Sequence, residues 1–504
     1  MDDDLLDVLI VGAGPTGLVL ALELVLRGVR VRIIDKAAGP GTASRAMAVH
    51  ARTLEFYRRL QLADEVISRG IRVGRVHLRE RRVEAARIEI ADFGKGLSPY
   101  PFVLSFPQDE HEKVLGDRLR REGVEVEWQT ELAGLDDDGG RVHATLRSAG
   151  GEESVEAAWI CGCDGVHSRV RDGMEVGFPG GTYEQSFYVA DVEATGVATD
   201  GDLNLCLGTD LFCVVFPIRT TGRFRLIGII PRPLRGKASV TLEDIRPFVE
   251  DLVGIRVRKE KWFSTYQVHH RVAAQFHKGR AFLVGDAGHV HSPAGGQGMN
   301  TGIGDAVNLA WKLAAVVRGR ASEQILDSYE PERIAFARTL VATTDTVFTG
   351  VVDPHLRGRF IRRVLIPNVV PRLIRFPFFR RFMFRTLSQI RIHYRDSALA
   401  SGMAGNVHGG DRLPWVESVD NFAPLRSLGW QLHVYGKARA ALAEFARSRA
   451  LALQEFDWSA DAGRAGLARD AAYLIRPDTY VALASATQDV AELQRFIDRF
   501  AIVP

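Results

Sequence analysis

The feature that most constrains the fold of this chain is a glycine-rich turn close to its start. An apolar run of strand type, residues 8–11, leads into the turn GAGPTG at residues 12–17, and residues 18–26 have the apolar spacing of a helix. A strand, turn and helix of this kind bring backbone amides and the positive end of the helix to a pyrophosphate. We therefore expect a Rossmann-type α/β domain that binds a dinucleotide.

Each glycine of this turn has a steric role. Gly12 permits the tight turn, Gly14 lets a phosphate approach the backbone, and Gly17 lets the helix and the strand pack closely. A second strand, predicted over residues 29–34, ends at Asp35, which lies 18 residues beyond Gly17. In this fold, an acidic residue about 20 residues past the turn accepts hydrogen bonds from the adenosine ribose. We expect Asp35 to have that role.

Two further stretches indicate which dinucleotide binds. One is CGCDGVHSRVR at residues 161–171, and the other runs from GDAGH at 285–289 into GGQGMN at 295–300. Together with the first turn they resemble the flavoprotein aromatic hydroxylases, the family that contains phenol, p-hydroxybenzoate and polyketide hydroxylases. The resemblance implies one Rossmann unit that holds FAD, with no second unit for the nicotinamide. The sequence contains no second strand-GxGxxG-helix unit, and this absence fits the family.

The resemblance also implies where these stretches meet the cofactor. Asp164 and Gly165 are expected near the FAD pyrophosphate and are associated with NAD(P)H use, while Asp286 is expected at the ribityl chain. The glycine-rich loop leads into a helix, predicted over residues 298–317, whose N-terminus faces the flavin ring. A helix N-terminus stabilises the negative charge of a reduced flavin by roughly 0.3–2 kcal/mol.

Two single residues match the family pattern as well. Arg45 matches an arginine near the flavin and pyrophosphate, and Gln108 matches a glutamine near the flavin. In phenol hydroxylase an acid that follows this arginine is the substrate's base, but here Met47 stands in that register, so the catalytic residues stay unassigned. An apolar pocket, or a substrate ionised by other means, is implied. The predicted cofactor-binding residues are Gly12, Ala13, Gly14, Pro15, Thr16, Gly17, Asp35, Lys36, Arg45, Gln108, Asp164, Asp286, Pro293, Gly298, Met299 and Asn300.

The order of the chain predicts a split FAD-binding domain. A chain of 504 residues exceeds one typical domain. Strand and helix patterns alternate in the first part, a β-rich stretch follows, and a buried strand predicted over residues 280–284 then returns to the first domain. The resemblance places the inserted sheet over the substrate, in front of the flavin ring. We expect the FAD-binding domain with its connecting helices at 1–180 and 267–400, the β-rich substrate domain at 181–266, and a further domain at 401–504.

The end of the chain has the composition of a small α/β unit. Its string AYLIRPDTYVA, residues 472–482, resembles the pattern that closes the thioredoxin-like domain of phenol and polyketide hydroxylases. The expected fold class is therefore α/β, with a Rossmann-type FAD-binding domain, an inserted β-rich substrate domain and a C-terminal thioredoxin-like domain. Thr479 stands where glycine is usual, which puts the turn geometry in question. No cysteine follows Cys213, so thiol chemistry is excluded there and a structural or dimer-contact role is expected.

Charge and composition exclude several kinds of partner. The formal net charge of +3 argues against a polyanionic partner, and no nucleic-acid module is recognisable. The acidic N-terminus and the lack of an 18-residue apolar run predict a cytoplasmic protein without stable membrane insertion. We expect no metal, because neither the pair Cys161 and Cys163 nor the pair His289 and His291 has further ligands in sight. A homodimer is left open.

Residues 354–395 contain eleven arginines and no acidic residue, interleaved with phenylalanines and prolines. One interpretation is a basic, amphipathic surface for a membrane or an anionic hydrophobic ligand. The other is a linker with helices whose arginine heads are solvated and whose phenylalanines dock on the FAD-binding domain. We expect the second.

The chemistry follows from the resemblance. It implies a monooxygenase with bound FAD that consumes NAD(P)H and O2 and hydroxylates a phenolic or polycyclic, polyketide-like aromatic substrate through a flavin hydroperoxide. A Baeyer–Villiger or epoxidising oxygenase on a large polycyclic natural product uses the same chemistry and is the alternative. A flavin-dependent halogenase is disfavoured, since no Trp-x-Trp-x-x-Pro pattern is present. A flavoprotein that only sequesters its ligand would need the same pocket.

Overall fold

The computed structural model describes residues 6–41, 46–80, 82–208, 211–218, 222–352 and 360–504. These residues form two eight-stranded sheets, one six-stranded sheet and one three-stranded sheet. Helices pack between and around the sheets. The predicted mixed α/β fold class is therefore confirmed.

Strands are numbered in chain order. The first group is β1 (Leu6–Val11), β2 (Val31–Asp35), β3 (Ala48–Val49), β4 (Ile71–Val73), β5 (Arg75–Glu80), β6 (Val83–Glu89), β7 (Val103–Ser105), β8 (Val126–Trp128), β9 (Glu131–Asp137), β10 (Val142–Ser148) and β11 (Gly151–Gly162). The second group is β12 (Gly180–Gly196), β13 (Leu203–Leu207), β14 (Phe212–Pro217), β15 (Arg223–Ile229), β16 (Ile255–Val272), β17 (His277–Lys278), β18 (Ala281–Leu283) and β19 (His289–Val290). The last group is β20 (Ser401–Ala404), β21 (Val407–His408), β22 (Gln431–Tyr435), β23 (Ala452–Phe456), β24 (Ala472–Ile475) and β25 (Val481–Ser485).

Helices are numbered in the same way. They are α1 (Pro15–Val25), α2 (Ala51–Arg59), α3 (Ala63–Arg69), α4 (Gln108–Arg121), α5 (Arg169–Gly173), α6 (Leu242–Val253), α7 (Gly298–Val317), α8 (Tyr329–Val352), α9 (Val370–Leu373), α10 (Pro377–Leu387), α11 (Ala440–Ser448), α12 (Ala460–Arg464) and α13 (Val490–Arg499). A π-helix spans Ile361–Val369, and short 3-10 helices span Arg232–Leu234, Gly285–Ala287, Ala294–Gly296, Glu323–Ser328 and Ala423–Ser427.

The first sheet is built around β1. Its main path runs β17-β18-β11-β1-β2-β8, and β1 lies parallel to both β11 and β2. Ile10 at the centre of β1 is fully buried, beside Cys161 of β11 and Ile33 of β2. An unbroken apolar run of this kind suits a parallel strand whose two faces are both covered. The carboxyl ends of β1, β2, β11 and β18 therefore meet at one edge of the sheet, where ligands bind in this fold.

The second sheet is mostly antiparallel and has two different faces. Its order is β19-β16-β12-β15-β14-β13-β5-β6. Side chains alternate along β12, so that Tyr188 belongs to the apolar cluster packed with α6, while Phe187 belongs to a second cluster on the other face. Besides the β-rich residues 181–266, this sheet includes β5 and β6 from the first part of the chain.

The third sheet contains the C-terminal strands in the order β21-β20-β25-β24-β22-β23. One side of this unit packs on the first domain through aromatic contacts. The ring of Trp430 lies perpendicular to that of Trp311 on α7, with 5.4 Å between the centroids, and Phe496 of α13 packs on Trp430. The C-terminal unit thus shares a continuous core with the helix that begins at the glycine-rich loop.

A buried group of ion pairs joins the same two parts of the chain. The guanidinium of Arg476 donates to Glu332 of α8 at 2.7 and 2.9 Å and to Asp478 at 2.6 and 3.0 Å. Lys312 of α7 donates to Glu332 at 2.8 Å. All four side chains are buried. Arg476 of the C-terminal unit therefore shares Glu332 with Lys312 of the first domain, so the group of charges is complete only while the C-terminal unit is in place.

The arginine-rich segment differs from the expectation. Phe384 of α10 docks on Gly94, where an added Cβ would overlap the phenyl ring, and Phe379 is half-buried. Phe376, Phe378 and Phe382, however, are 63%, 81% and 44% exposed, so the prediction that these phenylalanines dock is wrong. The reason is geometric, since a helix that docks one side must turn aromatic residues on its other side to solvent.

None of the helices in the described ranges has both the length and the apolar character needed to span a bilayer.

Thr479 adopts the backbone conformation of the glycine that its position usually carries. It lies between β24 and β25 with φ of 71°, in the left-handed region. This conformation is strained for a β-branched residue. In addition, its Oγ1 is buried and has no hydrogen-bond partner among the described atoms. The turn geometry is thus kept at a cost in stability.

We predict that Thr479→Gly stabilises the protein by about 1 kcal/mol. Relief of the left-handed strain gives roughly 1–2 kcal/mol, and the greater freedom of glycine in the unfolded chain offsets about 0.5–1 kcal/mol of that gain. Chemical denaturation monitored by circular dichroism measures the change. Thr479→Ala keeps a Cβ in the same conformation and serves as the control, which should not reach this gain. A lower denaturation midpoint for Thr479→Gly would show that the turn is not strained.

We predict that Arg476→Met lowers the free energy of unfolding by about 3–5 kcal/mol, because Asp478 and Glu332 stay buried without their main cation. The same denaturation experiment measures it. Arg147→Met is the matched control, since Arg147 makes a 2.8 Å pair with Glu152 in which both side chains are more than half exposed. The control should change stability very little. Equal effects of the two substitutions would contradict a coupling role for the buried group.

Candidate functional site

The three glycines of the first turn differ in their surroundings as predicted. Gly12 has φ of 103°, and a Cβ there would overlap the carbonyl oxygen of Cys163. A Cβ on Gly17 would overlap the carbonyl oxygen of Gly12. Gly14, the N-cap of α1, has no atom within 4 Å of the position of an added Cβ. The turn therefore packs tightly on both sides and leaves open space at its middle glycine, beside the unpaired amides of the first turn of α1.

The Asp-Gly stretch lies directly against this turn. The amide of Cys163 donates to the carbonyl of Val11 at 2.7 Å. Asp164 follows, and its Oδ2 accepts the amides of Arg169 and Val170 at 2.6 and 3.3 Å, at the start of α5. Its Oδ1 is buried without a hydrogen-bond partner among the described atoms. Burial raises the pKa of this carboxyl.

The Gly-Asp stretch meets the same turn from the other side. Gly285, with φ of 65°, packs against Thr16 of α1, and Gly302 of α7 packs against Thr16 as well. Asp286 is exposed at this junction. Arg171 holds the second and third stretches together, because its guanidinium donates to the carbonyl of Ala287 at 3.0 Å and to that of Val166 at 2.9 Å. The three stretches therefore form one site.

A buried carboxylate that the sequence analysis did not identify fixes this junction. Asp305 of α7 accepts the amide of Gly285 at 3.0 Å and His289 Nε2 at 2.7 Å, and it forms an ion pair with Arg333 of α8. Burial opposes ionisation, but Arg333 and His289 hold the pKa of Asp305 below its usual value. His289, which we expected to pack rather than to bind metal, is thus a partner of this carboxylate. The Gly-Asp turn and α7 are locked to each other.

The glycine-rich loop is fixed by Asn300. Its side-chain Oδ1 accepts the amide of His50 and the hydroxyl of Thr53 at 2.9 and 2.8 Å, while its Nδ2 donates to the carbonyls of Ala48 and Gly296 at 2.9 and 3.0 Å. Both polar atoms of the Asn300 side chain are therefore hydrogen-bonded within the protein. Only its backbone amide, with those of Gly298 and Met299, is left at the start of α7 for a ligand. Pro293 precedes this loop and is exposed.

Burial lowers the pKa of His50 to about 4. The ring is therefore neutral near pH 7, and its Nε2 lies 3.0 Å from the carbonyl oxygen of Gly295. Because a carbonyl only accepts, Nε2 carries the proton. His50 thus helps Asn300 to hold the loop, without adding charge.

Asp35 lies at the end of β2 beside the first turn. Its two oxygens accept the amides of Ala13 and Ala37 at 2.7 and 2.8 Å. Lys36, next to it, is exposed. Gln108 begins α4, and its side-chain amide donates to Glu112 at 2.8 Å. Asp35 therefore lies at the end of its strand, as the sequence predicts, and Gln108 lies at the first position of α4.

Glu112 is a second acidic residue that the sequence analysis missed. It is buried and accepts both Gln108 Nε2 and the amide of Gly41. Burial raises its pKa, and the charges of Asp109 and Asp35 add to this effect. Its spacing of four residues from Gln108 on one helix was a signal available in the sequence. Arg45 lies outside the described residues.

A basic cleft of about 300 Å³ opens beside the Asp-Gly stretch. Its lining includes His167, Arg171, His269 and Arg271, together with Phe178 and one acidic residue, Asp172. The Nε of Arg271 is buried without a hydrogen-bond partner among the described atoms. Burial and the neighbouring cations lower the pKa of His269. The cleft therefore offers positive charge and unused donors to an anionic ligand.

One face of the second sheet presents aromatic and aliphatic side chains. Its buried members are Phe187, Leu207, Phe212, Ile229 and Val268, and half-buried neighbours include Tyr183, Tyr266 and Ile366. The aromatic rings of this face lie within stacking distance of each other, with 5.9 Å between the centroids of Phe187 and Tyr266. The half-buried rings of Tyr183 and Tyr266 at the border of this cluster leave aromatic surface that suits a flat apolar molecule. Met47, in the position where phenol hydroxylase carries an acid, is buried.

The residues at the junction fit FAD. Open space at Gly14 leaves room for a pyrophosphate, and the first turns of α1 and α7 supply amides. The unpaired Oδ1 of Asp164 is an acceptor that a cofactor hydroxyl could satisfy. A group with both phosphates and hydroxyls would use all of these features.

The comparisons with known proteins agree with this geometry. The chain matches the family described as FAD binding domain over residues 5–344. It is 38% identical over 445 residues to the 6-methylpretetramide 4-monooxygenase of Streptomyces rimosus, covering 84% of this chain and 76% of that protein. It is 32% identical over 425 residues to the pentachlorophenol 4-monooxygenase of Sphingobium chlorophenolicum, covering 81% of this chain and 76% of that protein.

A solved structure is similar over the whole length. The ternary complex of aklavinone-11 hydroxylase with FAD and aklavinone superimposes with a TM-score of 0.81 at 23% identity, covering 100% of both chains. This likeness shows the fold. The resemblance that the three sequence motifs indicate is therefore confirmed, and with it FAD as the cofactor.

We predict that Gly14→Val weakens FAD binding by at least about 100-fold while the protein still folds. The added side chain enters space that no protein atom occupies, but it displaces a phosphate whose charge-assisted hydrogen bonds are worth about 1.5–3 kcal/mol each. Flavin fluorescence titration measures the affinity, and circular dichroism reports the fold.

Gly17→Ala is the contrasting variant, because its Cβ overlaps backbone atoms. It should fail to fold or lose at least about 1–3 kcal/mol of stability. Normal FAD affinity in a folded Gly14→Val protein would rule out a pyrophosphate at this turn.

Proposed function

Because the chain belongs to the FAD binding domain family, as a relative of aromatic polyketide and phenol monooxygenases, we propose that it hydroxylates a phenolic or polycyclic, polyketide-like aromatic compound. It does so with NAD(P)H and O2 as co-substrates and through a flavin hydroperoxide. One aromatic C–H bond becomes C–OH, NAD(P)H supplies two electrons, and the second oxygen atom of O2 leaves as water. The observation that carries the proposal is the junction of the three stretches, from which β19 continues into the second sheet by pairing with β16.

The cofactor is held by backbone amides more than by side chains. The amides after Gly14 bind the pyrophosphate, and Asp35 accepts from the adenosine ribose. Asp164 and Asp286 accept from hydroxyl groups, and Lys36, Arg45 and Gln108 belong to the same site. Bound FAD supplies the redox chemistry and activates O2. The amides of residues 298–300 at the start of α7 stabilise negative charge on its ring by roughly 0.3–2 kcal/mol.

The basic cleft receives the phosphates of NAD(P)H. Arg271 and Arg171 supply guanidinium groups, and His167 and His269 lie beside them. Val166 and His167, which follow Asp164 and Gly165 in the chain, line the cleft, so a nicotinamide bound there would reach the flavin without a second dinucleotide-binding fold. The nicotinamide therefore binds transiently. A cleft on the surface suits a co-substrate that enters and leaves in each turnover.

The aromatic face of the second sheet orients the substrate ring and excludes water. Phe187 and Phe212 are buried in this face, and Tyr183 and Tyr266 line its border. Exclusion of water prevents unproductive loss of the activated oxygen. With Met47 in place of an acid, the pocket itself supplies no carboxylate base at that position. The substrate therefore reacts as an electron-rich ring oriented by apolar contacts.

We further propose a division of the chain that follows this function. Residues 1–180 and 267–400 form the FAD-binding domain with its connecting helices, residues 181–266 contribute the substrate domain, and residues 401–504 form a thioredoxin-like domain. The last domain has a structural role, since it supplies Arg476 and Asp478 to the buried ion pairs.

The experiment measures NAD(P)H oxidation by the holoenzyme with a panel of phenols and polycyclic aromatic polyketides, followed by mass spectrometry under ¹⁸O2. We expect a product that carries one labelled oxygen atom. Arg271→Met should raise KM for NAD(P)H by about tenfold or more, as expected for the loss of a charge-assisted hydrogen bond, with FAD affinity unchanged. Arg256→Met, on the same strand and exposed, is the control and should behave as the parent protein.

A halogenated product, or NAD(P)H oxidation that yields only hydrogen peroxide with every aromatic compound, would contradict the proposed hydroxylation. An unchanged KM for NAD(P)H in Arg271→Met would show that the cleft does not bind NAD(P)H. It would not contradict the proposed hydroxylation.

A further inference from the structure

One segment exposes far more apolar surface than the rest of the described chain. Of the eleven large apolar side chains that are exposed in the described ranges, seven lie between Phe360 and Phe382. Phe378 is the most exposed of them, at 81%. Contiguous exposed apolar surface of this kind marks a site of interaction.

The helix α10 has one docked side and one free side. Phe384 fixes the docked side by lying on Gly94. On the free side, Phe378, Phe382 and Arg385 follow each other at helical spacing. We define the Arg/Phe face as this side of the helix with its preceding turn, namely Arg375, Phe376, Phe378, Arg381, Phe382 and Arg385.

The positive charge of this face is not compensated. Arg375, Arg381 and Arg385 are exposed, and in the part of the chain that the structure describes none of them pairs with a carboxylate. No acidic residue occurs anywhere from residue 354 to 395. Arg391 adds a further guanidinium, which lies 4.9 Å from the ring centroid of Phe382. The exposed aromatic rings are therefore surrounded by free cations.

We propose that the Arg/Phe face adsorbs reversibly to an anionic lipid membrane. Phenylalanine rings enter the boundary between headgroups and acyl chains, and arginines bind lipid phosphates. A ring that is 81% exposed stands on a convex surface, and a bilayer receives such a ring without a complementary pocket. A protein partner needs pockets for its anchoring residues. The charge and the shape of the face therefore favour lipid.

Adsorption of this kind needs no spanning helix. The helix α10 has eleven residues and lies in the plane of the interface, with Phe384 still docked on the protein. A single short amphipathic helix with three or four arginines binds weakly, so the protein exchanges between membrane and solution.

The position of the face gives adsorption a consequence for the enzyme. Ile366, in the π-helix that precedes α9 and α10, packs on the cluster of Phe187, Phe212 and Val268. The membrane surface is thus brought next to the segment that borders the aromatic face of the second sheet. An apolar substrate dissolved in the bilayer then reaches the site without crossing water. This consequence rests on the proposed function, whereas adsorption itself does not.

The test is flotation of the full-length holoenzyme with vesicles of phosphatidylcholine, with or without phosphatidylglycerol. We expect binding only to the vesicles that contain phosphatidylglycerol, and weaker binding at high salt. Arg381→Gln with Arg385→Gln should weaken binding by about 25-fold, at about fivefold for each arginine. Phe378→Ser with Phe382→Ser should abolish it. Retained flavin absorbance confirms that each variant is folded.

Two matched control variants remove the same kinds of exposed side chain from outside the Arg/Phe face. Arg256→Gln with Arg258→Gln removes two exposed cations from β16, and Met403→Ser with Val503→Ser removes two exposed apolar side chains. Both should bind vesicles as the parent does. The proposal is overturned if the parent binds neither vesicle or both equally, or if the controls lose binding as much as the face variants. It is also overturned if the face variants bind vesicles as the parent does but have a different sedimentation coefficient. That result would show that the Arg/Phe face joins two copies of the chain.

Discussion

The arrangement of the site depends on the buried carboxylate of Asp305. It lies on α7, pairs with Arg333 of α8, and accepts from His289 and the amide of Gly285 at the Gly-Asp turn. One buried charge thus joins two helices and a turn. Removal of a single partner from such a group leaves a buried charge without compensation, at a cost of about 3–5 kcal/mol. The geometry of the turn is therefore held more firmly than surface loops are.

Close backbone packing at three glycines also fixes the geometry of the cofactor site. Gly12 and Gly17 bring the first turn against β11, and Gly302 brings α7 against Thr16 of α1, with no room for a side chain at any of the three. Amides from separate parts of the chain consequently point to one region. None of these glycine contacts involves the aromatic face of the second sheet, so that face can differ between relatives while the cofactor site stays the same. This separation is consistent with relatives named for both phenol and polyketide substrates.

Much of this could be predicted from the sequence, because local patterns specify it. The steric roles of the glycines and the position of Asp35 follow from spacing, and the helix that begins at Gly298 follows from the resemblance to the flavoprotein hydroxylases. One departure from a motif, at Thr479, pointed to the turn that proves to be strained. Asp305 could not be found in this way, since its partners come from distant elements and only the folded core brings them together. The spacing of Glu112 from Gln108 was visible in the sequence, but its contact with the amide of Gly41 was not. The exposure of Phe378 was missed for a related reason. Periodicity shows that α10 has two sides, but only the tertiary structure shows which of them packs against Gly94.

Buried charge on α7 organises the FAD site, and the FAD dissociation constant of Asp305→Asn measures this effect most directly. This change keeps the shape of the side chain and removes its charge. Flavin fluorescence titration should give a dissociation constant about 100-fold higher than that of the parent, the equivalent of about 3 kcal/mol, with far-ultraviolet circular dichroism preserved. An unchanged dissociation constant in the folded variant would contradict the account.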